Sequence, residues 1–157
     1  MELPLLKKVI LIGPDEEAFS RVEPEFKEKV EFLSRERLLE MEETEVSAFV
    51  KNQVGEYPLY ISIDKDVLCE TDADTNWSQG DMRLSTMLEC LGAVKEKCAE
   101  RISRILGVDI CGECDVTEPG NSALNDMANA ALLEFFTSTD VGEDIEENKN
   151  GTTGGNR

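Results

Sequence analysis

Four short apolar runs, separated by segments of helical spacing, constrain the fold of this 157-residue chain more than any other feature. The runs lie at 7–14, 30–34, 56–64 and 104–112, and their apolar centres are unbroken rather than alternating. Unbroken apolar strands are typical of parallel sheets that helices cover on both faces. The sequence therefore predicts an α/β fold, a three-layer α/β/α domain with a mostly parallel sheet of about four strands.

Three further segments, at 35–52, 84–100 and 121–136, carry apolar residues at helical spacing. In the second of these the apolar positions recur at i, i+3, i+4, i+7 and i+10, which predicts one buried helical face. One or two helical turns are also expected within 15–22. Strands and helices thus alternate along the chain, as they do when parallel strands are joined by helical crossovers.

The composition changes near residue 140, and this change sets the expected domain boundary. Residues 1–139 hold all the apolar runs and form one predicted domain, because the chain is too short for two domains of ordinary size. Residues 140–157 are acidic and then rich in Gly, Thr and Asn. Such a segment cannot bury enough apolar surface to order itself, so a disordered tail is predicted.

The formal net charge of −18 limits the partners that this chain can bind. An acidic surface repels nucleic acid and anionic membranes, so neither is expected as a partner. No apolar run approaches the ~20 residues that span a bilayer, and no segment resembles a signal peptide. Five cysteines without the spacing of a disulfide scaffold indicate reduced thiols and a cytoplasmic location.

Two aspartates follow the third apolar run and are the first candidate site residues. Asp64 and Asp66 come at the carboxyl end of a strand, the position where open α/β sheets bind ligands. Residues two apart in an extended backbone point to the same side, so both carboxylates could reach one hard cation. Lys65 between them would point elsewhere. The alternative interpretation is a solvated strand end, where an acidic protein often carries acidic residues.

The segment SIDKD at 62–66, followed by LGVDICGE at 106–113, resembles the carboxyl-terminal half of the ureohydrolase superfamily, which includes arginase and agmatinase. In that family a Ser-x-Asp-x-Asp segment supplies two carboxylates to a binuclear manganese centre. The resemblance implies that Asp64 and Asp66 are metal ligands, that Mn²⁺ is the cofactor, and that Glu113 faces a guanidino substrate. The spacing in DICGE places Glu113 one residue further from Asp109 than the family pattern does.

The chain also departs from the family pattern at the other ligands. The family uses an Asp-x-His-x-Asp segment and an upstream histidine, whereas this chain contains no histidine. The loop that normally follows the carboxylate pair is replaced by 67–82, which includes the single tryptophan, Trp77. We therefore expect a fragment, a truncated product or one piece of a split protein, whose site is incomplete.

The segment CGEC at 111–114 offers a competing interpretation, because C-x-x-C motifs serve redox or zinc chemistry. No helix start follows it, and nearby acids would raise the thiol pKa values. Cys90 and Cys98 are expected to pack in the core. Asp72 and Asp74 are interpreted as turn-forming acids rather than extra ligands, and Trp77 as a residue that caps the core.

Two classes of function remain open from the sequence. The first is a metal-dependent C–N hydrolase of ureohydrolase ancestry that acts on a guanidino or amine compound and lacks activity by itself. The second is a non-catalytic, acidic α/β binding module that retains the fold. In either case the expected partner is a complementary subunit or a second copy of the chain. A thiol oxidoreductase is the third and weakest interpretation.

Overall fold

The structure is a computed structural model that describes residues 5–113 and 122–138. Helices and strands follow one another in this order: β1 Val9–Ile12, α1 Glu16–Ser20, α2 Pro24–Lys27, β2 Val30–Leu33, α3 Arg35–Leu38, α4 Glu43–Gln53, β3 Leu59–Asp64, α5 Leu84–Ala99, β4 Ile105–Cys111 and α6 Ser122–Thr137. The predicted α/β class is confirmed. The predicted tail, 140–157, lies outside the described residues. No helix within the described ranges is both long and apolar enough to cross a bilayer.

All strand pairing in the described part of the chain is parallel, as predicted, but it forms two sheets. β1 pairs with β2, and β3 pairs with β4, each in a separate two-stranded sheet. The expected single sheet of about four strands is therefore replaced by two smaller ones. Short apolar runs specify that a strand forms, but they do not specify which neighbour it bonds to.

The β1–β2 sheet carries apolar side chains that pack on both of its faces. Ile12 and Leu33 are register partners, and they pack with the buried Val46 and Val50 of α4. On the other side Phe32 stacks on Phe19 of α1, with ring centroids 4.1 Å apart. This two-sided packing explains why β1 is apolar throughout and why β2 has a single charged residue, Glu31.

The β3–β4 sheet is packed on one face by α5 and α6. Ile63 is buried there with Met87 and Leu91 of α5 and Leu132 of α6. The alternate side chains of β3 point away from this core, and they are exposed: Tyr60, Ser62 and Asp64. Among the described residues no helix covers this second face, which is unusual for a parallel pair.

The predicted helix at 35–52 is two helices instead of one. Ser34 Oγ accepts a hydrogen bond from Arg37 N at 3.2 Å and so caps the four-residue α3. After a break, Glu42 N donates to Glu45 Oε2 at 3.0 Å, which fixes the start of α4. Local capping therefore interrupts an apolar pattern that by itself favours one continuous helix.

The loop between β3 and α5 is held against the core at its end. Gln79 Nε2 donates to the carbonyl oxygens of Leu68 and Ala73, at 2.6 Å and 3.2 Å. A Cβ atom on Gly80 would lie 2.0 Å from the carbonyl oxygen of Val67, so only glycine fits there without a shift. Trp77, predicted to cap the core, is 91% exposed instead. Ala73, earlier in the loop, is fully buried, so the loop is held on both sides of Trp77 while Trp77 itself lies outside.

We expect Gly80→Ala to lower the free energy of unfolding by about 1–3 kcal/mol, because the new methyl group overlaps backbone. Gly92→Ala is the matched control, since a Cβ on Gly92 of α5 meets no atom within 4 Å. The control should leave stability unchanged or raise it by up to about 1 kcal/mol, because glycine disfavours helix interiors. Urea denaturation of both variants measures this. Equal stability of the two variants would contradict the close approach at Gly80.

Candidate functional site

The carboxyl ends of β3 and β4 meet at one edge of their sheet. Asp64 and Cys111 are register partners there. Gly112, at φ +82°, then turns the chain so closely that a Cβ on it would lie 2.8 Å from Asp64 Oδ1. Glycine at this position therefore lets Glu113 and the turn after β3 come together.

Asp64 and Asp66 differ in their surroundings, although both lie at this edge. Asp64 Oδ1 accepts a hydrogen bond from Asp66 N at 3.1 Å and so starts a 3₁₀ turn at Lys65–Val67. Asp66 thus lies in a turn rather than two residues along an extended strand. Its Oδ2 contacts Ser78 Oγ at 3.5 Å, while its Oδ1 is buried and has no hydrogen-bond partner among the described residues.

Lys65, between the two aspartates, is fully buried. Its Nζ forms an ion pair with Glu113 Oε1 and donates a hydrogen bond to Asn129 Oδ1 at 2.9 Å. Asn129 Nδ2 in turn donates to Glu113 Oε1 at 2.9 Å. A buried ammonium costs several kcal/mol unless charged and polar groups surround it. These three residues, named here the Lys65 cluster, supply that environment and tie the turn after β3 to the end of β4 and to α6.

Glu113, the residue that the resemblance assigns to a guanidino substrate, contacts a cation of this chain itself. The hydrogen bond from Lys65 holds the pKa of the Glu113 carboxyl below its ordinary value, and burial opposes that shift. The side chain is 54% exposed, so solvent reaches it. Its second oxygen accepts no hydrogen bond from the described residues and is free to accept one from a ligand.

The thiol chemistry considered from the sequence gains no support at Cys111. Partial burial raises the pKa of this thiol, and the neighbouring carboxylates of Asp64 and Asp109 raise it further. A raised pKa reduces the thiolate fraction that redox chemistry needs. Cys114, the second cysteine of the motif, lies outside the described residues. Cys90 is buried in the core, as predicted, and burial raises its pKa to about 11.

The acids in the loop after β3 have structural contacts. Asp72 Oδ2 accepts a hydrogen bond from Leu84 N at 2.8 Å and thereby caps the first turn of α5. The backbone of Asp74 is bonded on both sides by Asn125, whose amide donates to Asp74 O and accepts from Asp74 N. Asp72 was expected to form a turn, and the structure gives its side chain the role of a helix cap. Residues 5–113 and 122–138 bring no three His, Cys, Asp or Glu side chains together in a way that could hold a metal ion.

Sequence reasoning missed the polar groups that organise this region. Lys65 was expected to point away from the site, but its ammonium group contacts Glu113, one of the predicted site residues. Asn125 and Asn129 lie one helical turn apart on α6, on the same side as the buried Ala128 and Leu132. Two asparagines at i and i+4 within an apolar helical face were the available signal, because buried amides require specific partners.

Comparison with known proteins gives one similarity. No family model and no solved structure matches this chain. An uncharacterized protein of Thermotoga maritima is 35% identical over 85 residues, which make up 53% of this chain and 32% of that protein. The chain thus matches about a third of the length of this relative.

Glu113→Gln should reduce stability near neutral pH and have little effect in acid. Because the folded state lowers the pKa of Glu113, its contribution is present above the ordinary value of 4.5 and is lost as pH falls through the folded pKa. We expect a loss of about 1 kcal/mol at pH 7, a figure reduced for solvent screening. Urea denaturation at pH 7 and at pH 3 measures it, with the exposed Glu36→Gln as control. The same loss at both pH values would contradict the ionised pair.

Proposed function

We propose that this chain carries part of a manganese-dependent C–N hydrolase of the ureohydrolase type, in a three-layer fold resembling part of arginase. Asp64 and Asp66 would hold the metal, and Glu113 would face a guanidino or amine substrate. The observation that carries the proposal is the buried Asp66 Oδ1, which lacks a partner among the described residues. A buried carboxylate oxygen without a donor is costly, and a bound cation would remove that cost.

The residues fit a hard divalent cation in type but not in number. Carboxylate oxygens are the donors that manganese shares with magnesium and calcium. Asp64 and Asp66 provide such oxygens from adjacent positions at the sheet edge, whereas the described residues offer no cluster of three ligands. Binding is therefore expected to be weak. When bound, Mn²⁺ would supply Lewis-acid activation of a water, the nucleophile for the planar carbon of the substrate.

The remaining residues of the edge would bind and orient the substrate. The free oxygen of Glu113 can accept an N–H of a guanidinium, a charge-assisted hydrogen bond. Lys65 keeps the carboxylate of Glu113 ionised, since its hydrogen bond lowers the pKa of that group. Asn129 holds both of them from α6. A substrate cation would thus approach Glu113 from the exposed side, opposite the buried ammonium.

The chain alone would lack the means to complete the reaction. Histidine is the side chain that most often moves protons near neutral pH, and the chain contains none. The relative from Thermotoga maritima extends well beyond the matched segment. We therefore infer that a complementary polypeptide supplies the missing ligands and the proton-transfer group. The reduced thiols expected from the sequence favour the cytoplasm as the location of the assembled protein.

Calorimetric titration with Mn²⁺ tests the metal assignment. The wild type should bind with a Kd weaker than about 0.1 mM, because two carboxylates fill only part of the coordination sphere. Asp64→Asn/Asp66→Asn should abolish the heat, whereas Asp126→Asn, an exposed change on α6, should retain it. Equal heats for wild type and the double variant would refute the assignment. Urea release from arginine above a metal-only blank would refute the view that the site is incomplete.

A second candidate function, an acidic binding module, is favoured by one observation. The face of β3–β4 that bears Tyr60, Ser62 and Asp64 is exposed, although parallel sheets are ordinarily covered on both faces. Tyr60 is 67% exposed and lies over Gly107 of the neighbouring strand. An uncovered sheet face of this kind is a site for another polypeptide or for a second copy of the chain.

Light scattering after size exclusion at low and high salt tests this candidate. The net charge of −18 opposes self-association at low salt, but the Debye length falls from ~10 Å at 0.1 M to ~3 Å at 1 M salt. We expect the wild type to shift from monomer toward dimer as salt rises, and Tyr60→Lys to remain monomeric. A thermostable wild-type monomer at both salt concentrations would contradict self-association through this face.

A further inference from the structure

A concave region lies where β1 ends, beside residues 81–83 at the end of the loop after β3. This cavity has a volume of about 170 Å³, and its lining includes Arg35, Leu38, Leu39, Asp81, Arg83 and Thr86. Gly13, directly after β1, also lines it and approaches Val67 so closely that a Cβ would lie 3.1 Å from Val67 Cβ. The carboxyl ends of strands are the usual positions for ligands in open α/β folds.

The two arginines of this cavity differ in how fully their donors are used. Arg35 Nε donates to Asp81 Oδ2 at 2.5 Å, and Nη1 donates to Gln79 O at 3.3 Å. Asp81 therefore balances the charge of Arg35. Arg83 directs Nη1 to Thr71 Oγ1 at 2.6 Å, and its Nε lies 3.4 Å from Asp72 Oδ2. Within the described residues Arg83 Nη2 has no partner, so its two N–H donors are available.

The surroundings of Arg83 favour an anion with a short apolar part. Arg83 is the N-cap of α5 and Thr86 lies in the first turn, so the start of this 16-residue helix adjoins the cavity. Asp72 already caps Leu84 N there, so the ligand would depend on Arg83 rather than on the helix dipole. Leu38 and Leu39 form an apolar wall, and Leu39 is 63% exposed. An exposed leucine beside a guanidinium group suits a ligand that has both an aliphatic and a carboxylate end.

The cavity of about 170 Å³ is smaller than the sites of about 300–1,000 Å³ that hold drug-sized ligands, so we expect a small ligand such as a four-carbon carboxylate. Phosphate would use the arginine but would leave the leucine wall exposed to water, so it fits less well.

We propose that this cavity, named here the Arg83 cleft, binds a small aliphatic carboxylate through Arg83 Nη2, with the alkyl chain against Leu38 and Leu39. The proposal is independent of the metal binding proposed at Asp64 and Asp66, because neither residue lines the cleft.

Titration of the ¹⁵N-labelled full chain with butanoate, followed by amide chemical shifts, tests the proposal. We expect a Kd on the order of 1 mM and shifts concentrated at Leu39 and at the first turn of α5. At equal concentration and matched ionic strength, 1-butanol has the same alkyl chain without the charge, and it should bind at least about tenfold more weakly.

Two variants and one control locate the binding. Arg83→Gln should raise the Kd for butanoate at least about fivefold, because the charge-assisted hydrogen bonds of the guanidinium group are lost. Leu39→Ala, a surface change that leaves the fold intact, should weaken it about threefold through the lost apolar wall. Arg21→Gln, which removes an arginine paired with Glu17 on α1, should leave the Kd unchanged.

Three results would overturn the proposal. Equal affinities for butanoate and 1-butanol would show that the carboxylate is not recognised. Unchanged butanoate affinity in both Arg83→Gln and Leu39→Ala would place the binding elsewhere. Shifts spread over all exposed arginines, with an equal loss of affinity in Arg21→Gln, would indicate nonspecific binding of an anion. Dispersed amide spectra confirm that each variant is folded.

Discussion

The burial of the Lys65 ammonium is the interaction on which the rest of this structure depends. A full charge with no solvent access requires charged or hydrogen-bonding partners. Glu113, just after β4, forms the ion pair, and Asn129 of α6 accepts a hydrogen bond. These partners come from parts of the chain that are distant in sequence. Losing either one removes a partner from a charge that has no access to solvent. The cluster therefore fixes where β3, β4 and α6 meet, and with them the edge that bears Asp64 and Asp66.

The same cluster defines what this edge can do chemically. Glu113 pairs with an internal cation through Oε1, while its side chain as a whole remains 54% exposed. Asp66 shows the opposite balance, because its buried Oδ1 has no donor among the described residues. The two carboxylates therefore differ, because Glu113 is paired with Lys65 whereas Asp66 has a buried oxygen without a donor among the described residues.

Much of the fold could be read from the sequence, because apolar runs and helical periodicity are local. The strand that ends at Asp64 and the helix that begins at Leu84 were placed in this way. The division into two sheets could not be predicted, since lateral pairing depends on contacts between distant segments. Burial of Lys65 was missed for a related reason: lysine is ordinarily exposed, and its partners follow only from the tertiary arrangement. The break between α3 and α4 was also missed, because the capping hydrogen bonds at Glu42 start a new helix within an apolar pattern that favours a continuous one.

Helix α5 is shared by the two sheets, and this has a consequence for how the domain folds. Its Cys90 and Ala93 pack in the cluster around β1 and β2, whereas Met87 and Leu91 pack in the cluster around β3 and β4. The first sheet joins strands that are close in sequence, while the second must join Leu59 to Ile105 across the whole of α5. Closing that longer loop costs more chain entropy before any contact compensates for it. The amino-terminal pair can therefore form early, and α5 then serves as the template on which the β3–β4 pair is assembled.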